Sequence, residues 1–248
     1  MIYDLQKASI LKRISAFLLD FILLLILTAG FIALLTLIVR FDFYYNQLAE
    51  YDKQYKEIGI ESITITKEQY EALGAEAKEY YDTTINDVRA LMSQCVSRAF
   101  MSLSLGLFFS HLVLEFIIPL ILKNGQTVGK KIFSVGVMQI SGVKLKPVSL
   151  FVRAMLGKYA VETMVPLSIV LIFFFIEANA LLFILFIALY VLEIVLFFVT
   201  KRYAFIHDVL ASSVTIDMQS QMIFNTTEEM IAYKEELHQK EVEQAEYK

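Results

Sequence analysis

The chain has 248 residues, a formal net charge of −4 and 57% hydrophobic residues. Its mean hydropathy of +0.60 lies well above that of an ordinary soluble domain. One cysteine, Cys95, excludes an intramolecular disulfide, and three histidines without any Cys–His spacing argue against a zinc centre. The composition predicts an all-α membrane protein with no cofactor.

The first apolar run, Ile14 to Val39, is 26 residues long and carries one charge, Asp20. About 20 residues suffice for a helix to cross a bilayer. The run is too long for a signal-peptide core, so residues 1–39 read as an N-terminus and a retained first span. A carboxylate in hydrocarbon is costly unless it is paired, hydrated or protonated. Arg13 precedes Asp20 by seven residues. That is almost two helical turns, so both side chains share a stripe, roughly 10 Å apart along the axis. The stripe should face a bundle interior and not lipid.

Residues 40–98 carry seven basic and eleven acidic residues and many tyrosines, among them Tyr44, Tyr45, Tyr51, Tyr55, Tyr70, Tyr80 and Tyr81. Thr66-Lys-Glu-Gln69 resembles a capping box that opens a helix. Ile60 to Thr66 reads as a short extended piece, and the rest as helical extensions of the flanking spans. The plain expectation is a solvated helical insertion with aromatic anchors at the membrane surface.

Residues 99–122 form the second span, which carries His111 and Glu115. Residues 123–160 hold seven Lys/Arg and no acid. Alternation from Ile132 to Ile140, then Ser141-Gly142, then Val143-Lys-Leu-Lys146 predicts a β-hairpin or paired extended segments. An amphipathic helix follows from about Pro147, since proline suits the first helical turn. Residues 161–200 split at Glu177-Ala178-Asn179, a tight turn, into a third and a fourth span. Residues 201–248 hold His207-Asp208 and an acidic tail, in which Thr226-x-x-Glu229 caps a helix running to about Glu243.

The basic clusters fix an orientation. Lys7, Lys12 and Arg13, the 123–160 loop, and Lys201 with Arg202 all fall on one side if there are four spans. The positive-inside rule makes that side cytoplasmic. The expected fold is a four-span helical bundle in the cell membrane with both termini cytoplasmic. It has an extracytoplasmic helical insertion and a small cytoplasmic extended or β-hairpin element.

Several segments resemble the RDD family of bacterial membrane proteins, named for one arginine and two aspartates. Arg13 and Asp20, in Ser9-Ile-Leu-Lys-Arg13-Ile-Ser-Ala-Phe-Leu-Leu-Asp20, match its first-helix pattern. Gly125-Gln-Thr-Val-Gly129-Lys130-Lys131 is similar to its Gly-x-Thr-x-Gly-Lys-Arg/Lys segment. Leu150-Phe-Val-Arg153-Ala matches its Leu-x-Arg-Ala step. Phe205-Ile-His207-Asp208-Val-Leu-Ala resembles its His-Asp-x-x-Ala ending, with Asp208 as the second aspartate. Ser212 stands where that ending usually has glycine. The resemblance implies a small multi-span protein of mostly unassigned function. Some similar proteins are thought to act as sodium/proton antiporters.

Read from the residues, Asp20, Glu115 and Glu193 lie at one level, roughly 10 Å below the inner surface at 1.5 Å per residue. His111 is one turn deeper than Glu115 on the same face. Three carboxyls at one level offer oxygen ligands for a monovalent cation, or exchangeable protons with His111 as relay. The plainer reading is a structural network in which Arg13 and Arg153 pair with Asp20 or Asp208. Glycine-flanked Lys130 and Lys131 lack a Walker spacing, and read as a tight turn contacting anionic lipid headgroups. No nucleophile–base arrangement is present, so enzymatic hydrolysis is not expected, nor is nucleic-acid binding. Two functions follow as alternatives. One is secondary transport of a monovalent cation against protons, with a homodimer or partner subunit to complete a pathway. The other is a non-transporting scaffold or accessory subunit that docks partners through the outer loop and acidic tail.

Overall fold

The computed structural model describes residues 6–175, 180–200 and 202–246. The turn read at Glu177–Asn179 and the basic residue Lys201 lie outside the described residues. Among the described residues, four helices are long and apolar enough to cross a membrane: Ile10–Ile38, Ala75–Leu122, Pro147–Phe173 and Ala180–Val199. This is the expected all-α membrane architecture, with one two-stranded sheet added. The chain divides into two compact units, Leu27–Gly106 on the one hand and Met1–Ile26 with Leu107–Lys248 on the other.

The unit over 27–106 takes the end of α1 (Ile10–Ile38), then α2 (Phe41–Glu57), α3 (Lys67–Ala72) and most of α4 (Ala75–His111). Arg40 turns the chain between α1 and α2 in the left-handed region, at φ 54°. Thr66 and Gln69 close the predicted capping box: Gln69 N donates to Thr66 Oγ1 at 3.3 Å and Thr66 N to Gln69 Oε1 at 2.8 Å. Ile60 to Thr66 forms bends and a cap, not the short extended piece read from sequence. Several of the tyrosines turn inward, whereas Tyr45 stays exposed. Tyr55, Ile60 and Val88 are buried and gather Tyr51, Tyr80, Tyr81 and Leu48 around them. Tyr55 and Tyr80 meet edge to face at 5.9 Å, and the Tyr55 hydroxyl bonds that of Thr84 at 2.8 Å. The insertion therefore has a core of its own.

In the other unit, α4 continues through a π-helical turn, Leu112–Ile117, into α5 (Ile118–Leu122). A loop leads to α6 (Val128–Ile132) and β1 (Val135–Gln139). The third span opens with α7 (Pro147–Phe151), runs as π-helix over Val152–Met164, and ends as α8 (Val165–Phe175). Pro147 does start that helix, so the amphipathic segment and the span are continuous. Then come α9 (Ala180–Val199), α10 (Ile206–Leu210), β2 (Ser213–Asp217) and α11 (Thr227–Glu246). Thr226 Oγ1 accepts from Glu229 N at 3.2 Å and caps α11 as expected.

The extended element differs from expectation in its partner. Strand β1 pairs antiparallel with β2, from Val135↔Asp217 to Gln139↔Ser213. The Val143–Lys146 stretch contributes one bridge to β1, Met138↔Lys144, across the Ser141-Gly142 turn, and a second, Val143↔Phe224, away from it. The physical reason is burial on both faces. Successive strand residues point to opposite faces. Val137 packs with Leu145 and Leu150 on one face, and Met138 with Val214 and Ile216 on the other. Ser213-Val-Thr-Ile-Asp217 supplies the alternating apolar partners that a charged Lys-Leu-Lys does not. Lys7 bridges Ile216 and so covers the second edge of β2.

Candidate functional site

Asp20 lies buried on α1 and faces the start of α6. Thr127 caps α6, donates its hydroxyl to Asp20 Oδ2 in a short bond, and accepts from Lys130 N at 3.4 Å. Gly129 N donates to Asp20 Oδ1 at 2.8 Å. A Cβ on Gly129 would come within 2.9 Å of Asp20 Oδ1. The Gly-x-Thr-x-Gly segment is thus a fitting for one carboxylate: a hydroxyl and a backbone amide at a helix start, with room made by a missing side chain. Arg13 does not pair with Asp20. Its guanidinium donates to the carbonyls of Tyr203 at 2.9 Å and Thr215 at 2.8 Å, and so ties α1 to the chain on either side of α10.

Glu115 sits in the π turn that follows α4. Lys158 bonds its Oε1 in a short ion pair, and Lys130 Nζ stands 3.7 Å from its Oε2. Lys130 is 8% exposed, which corrects its reading as a lipid-headgroup contact; Lys131 is exposed. Burial pulls Lys130 down to about 8; Glu115 opposes this, while Lys158 and Arg153 add to it.

The π-helix of the third span sets the remaining geometry. Arg153 and Glu162 are nine residues apart, two and a half turns of an α-helix, which would place them on opposite faces. A π-helix advances roughly 4.4 residues per turn, so nine residues make about two turns. Both side chains therefore reach α10. Arg153 Nε bonds Asp208 Oδ1 at 3.1 Å, and Ser213 Oγ donates to the same oxygen at 2.7 Å. Glu162 accepts from His207 N at 2.9 Å and contacts His207 Nδ1 at 2.7 Å. His207 Nε2 lies 3.5 Å from Asp208 Oδ2. Gly157 permits the approach, since a Cβ there would lie 2.6 Å from His207 Cα.

Burial disfavours the Asp208 carboxylate, but Arg153, His207 and the Ser213 hydroxyl outweigh it and hold the group well below the usual carboxylate range. Burial dominates for His207 and lowers it, against the pull of Asp208 and Glu162. Glu193 lies in the neighbourhood of Glu162, and its Oε1 is buried without a hydrogen-bond partner. His111 contacts the Leu107 carbonyl through Nδ1 at 2.9 Å and the Thr163 hydroxyl through Nε2 at 3.2 Å.

The predicted carboxyls thus have separate surroundings: Asp20 the α6 start, Glu115 two lysines, Glu193 the neighbourhood of Glu162. Among the described residues no group of three or more His, Cys, Asp and Glu side chains is placed to hold a metal ion. Arg153 and Asp208 are joined by an ion pair. Glu162, Lys158, Thr127 and Ser213 were missed. For Glu162 and Lys158 a signal existed, since two opposite charges four residues apart at the head of an apolar run are unusual.

Four apolar spans and a buried ionic network define a multi-pass α-helical membrane protein. A family model described as the RDD family matches residues 7–212, and the chain belongs to that family. No curated protein and no solved structure matches it.

Proposed function

We propose that this RDD-family protein is a secondary transporter of the cell membrane that exchanges a monovalent cation for protons, with both termini cytoplasmic. The observation that supports this reading is a buried Glu193 oxygen without a hydrogen-bond partner, in the neighbourhood of Glu162 and His207. Two carboxylates have only acceptors, so two carboxyls brought close together in a poorly solvated place favour a shared proton. When that proton leaves, the same oxygens become hard ligands for one alkali cation. One charge replaces another, and the two ions compete for one place. Four spans are few for a complete pathway, so a homodimer or partner subunit belongs to this reading, and Lys131 faces anionic lipid.

The test is the full chain in lipid vesicles with an internal pH dye. Sodium- or lithium-driven proton flux is expected, and it should be lost in Glu193→Gln. Absence of flux from a folded preparation would rule this function out. Cysteine labelling at position 70 from the cytoplasmic side alone would overturn the orientation.

A second reading is a scaffold or accessory subunit without transport. It draws on the fact that Asp20, Glu115 and Asp208 are each bonded to a donor or cation. Gentle solubilisation that yields a stable partner, together with no flux, would favour it.

A further inference from the structure

The neighbourhood of Glu162 and Glu193 leaves His111 unused, and the surroundings of His111 hold an unusual constraint. His111 is 3% exposed. The Leu107 carbonyl can only accept, so Nδ1, at 2.9 Å, is the donor of that bond and keeps its proton. Nε2 then decides the state of the ring. It stands 3.2 Å from Thr163 Oγ1, and that same hydroxyl lies 2.8 Å from the Lys158 carbonyl. A hydroxyl has one proton to give. If His111 is neutral, Thr163 donates to Nε2 and the Lys158 carbonyl loses the hydroxyl. If Nε2 is protonated, it donates to Thr163 Oγ1, and the hydroxyl turns to the Lys158 carbonyl. The two bonds to Thr163 coexist only with a protonated ring.

We infer that His111 is a second proton-binding site, with Thr163 as the positioning residue that converts its protonation into a change of hydrogen bonding in the π-helix. The balance is simple. One proton passes from hydronium to Nε2, forming an N–H bond as an O–H bond of hydronium breaks, while the Thr163 hydroxyl keeps its own proton and rotates. The Lys158 carbonyl belongs to the residue whose ammonium holds Glu115. Protonation at His111 is therefore felt at the backbone that carries this ion pair. The charged groups facing the imidazole are Glu115 from its own helix and Lys158 and Glu162 from the third span. The Tyr159 ring lies 5.6 Å away. The site's part in ion exchange rests on the function proposed above, but its existence does not.

The test separates the two. The full chain in detergent, labelled with nitrogen-15 at histidine, is titrated by NMR, and the spectrum of His111→Gln identifies which signals belong to His111. The expected result is an Nδ1 that carries a proton at every pH and an Nε2 that titrates. In Thr163→Val the Nε2 midpoint moves by roughly half a pH unit or more, the scale separating a charged from a neutral hydrogen bond. Thr163→Ser keeps the hydroxyl and returns the wild-type curve. A neutral ring with its proton on Nε2, an unchanged midpoint in Thr163→Val, or a Thr163→Ser curve unlike wild type would each overturn the inference. Should Thr163→Val fail to fold, the wild-type tautomer and Thr163→Ser still decide it. Wild-type vesicles without flux would remove the transport function and leave the titration intact.

Discussion

The two units bury polar groups by opposite means. In the 27–106 unit, neutral hydroxyls do the work: Tyr55 with Thr84, and Tyr80 with Gln54. Each phenol brings a large apolar ring to the core and one small polar end to satisfy. In the other unit the buried partners are charged: Arg153 with Asp208, Lys158 with Glu115, and Asp20 against amide and hydroxyl donors. A neutral pair that loses one member leaves a modest penalty. A charged pair that loses one member leaves an ion stranded. The ionic unit should therefore be brittle to single substitutions and sensitive to pH, and the aromatic unit tolerant of both.

The sharpest way to break that contrast is Arg153→Gln, which strands Asp208. The expected cost is ~3–5 kcal/mol, read as thermal stability in detergent, with recovery of most of it when Asp208→Asn is added. A single-variant loss below 1 kcal/mol on that scale would remove the premise.

Acidification should imitate the same loss by degrees. His207 is lowered in the fold, so the unfolded chain binds its proton first as pH falls through about 6.5, and stability declines from there. Asp208 is lowered too, so its contribution is present above about 4 and disappears below that. His207→Gln should erase the upper phase and spare the lower.

Asp20→Asn keeps shape but replaces a carboxylate oxygen with an amide facing Thr127 or Gly129. The expected loss is about 2 kcal/mol, in the range for a hydrogen bond to a charged group. In the aromatic unit, Tyr55→Phe should cost only about 1 kcal/mol, one neutral hydrogen bond, and should show no pH dependence between 4 and 7 on the handling conditions of the previous test. The smallest effect carries the opposite sign. Ser212 adopts φ 49° directly before β2, a region that L-residues enter at a cost and glycine does not. Ser212→Gly should stabilise the protein by roughly 0.5 kcal/mol, measured as the denaturation midpoint.

Much of this was legible before any coordinates. Run length and charge placement located the four apolar helices, and Thr66 and Thr226 marked helix starts because capping is local chemistry. Arg153 and Asp208 stood out through their motifs. What stayed hidden depended on long-range geometry or on an unusual period. Counting at 3.6 residues per turn separates Arg153 from Glu162; only the π register reunites them. The strand at Ser213–Asp217 lay between the His-Asp segment and the acidic tail and was given no structure, because five alternating residues make a weak signal without a visible partner. Arg13 drew attention to carboxylates, whereas backbone carbonyls, which no side-chain pattern displays, hold it.

The pairing of β1 with β2 also sets an order of events during synthesis. Gln139, the last residue of β1, precedes Ser213, the first of β2, by 74 residues. At roughly 5–20 residues per second a ribosome takes about 4–15 s to make that interval. For 55 of those residues, about 3–11 s at that rate, Arg153 exists and Asp208 does not. The nascent third span therefore carries a guanidinium whose permanent partner has yet to be made, and water or lipid phosphate must hold that charge until α10 arrives.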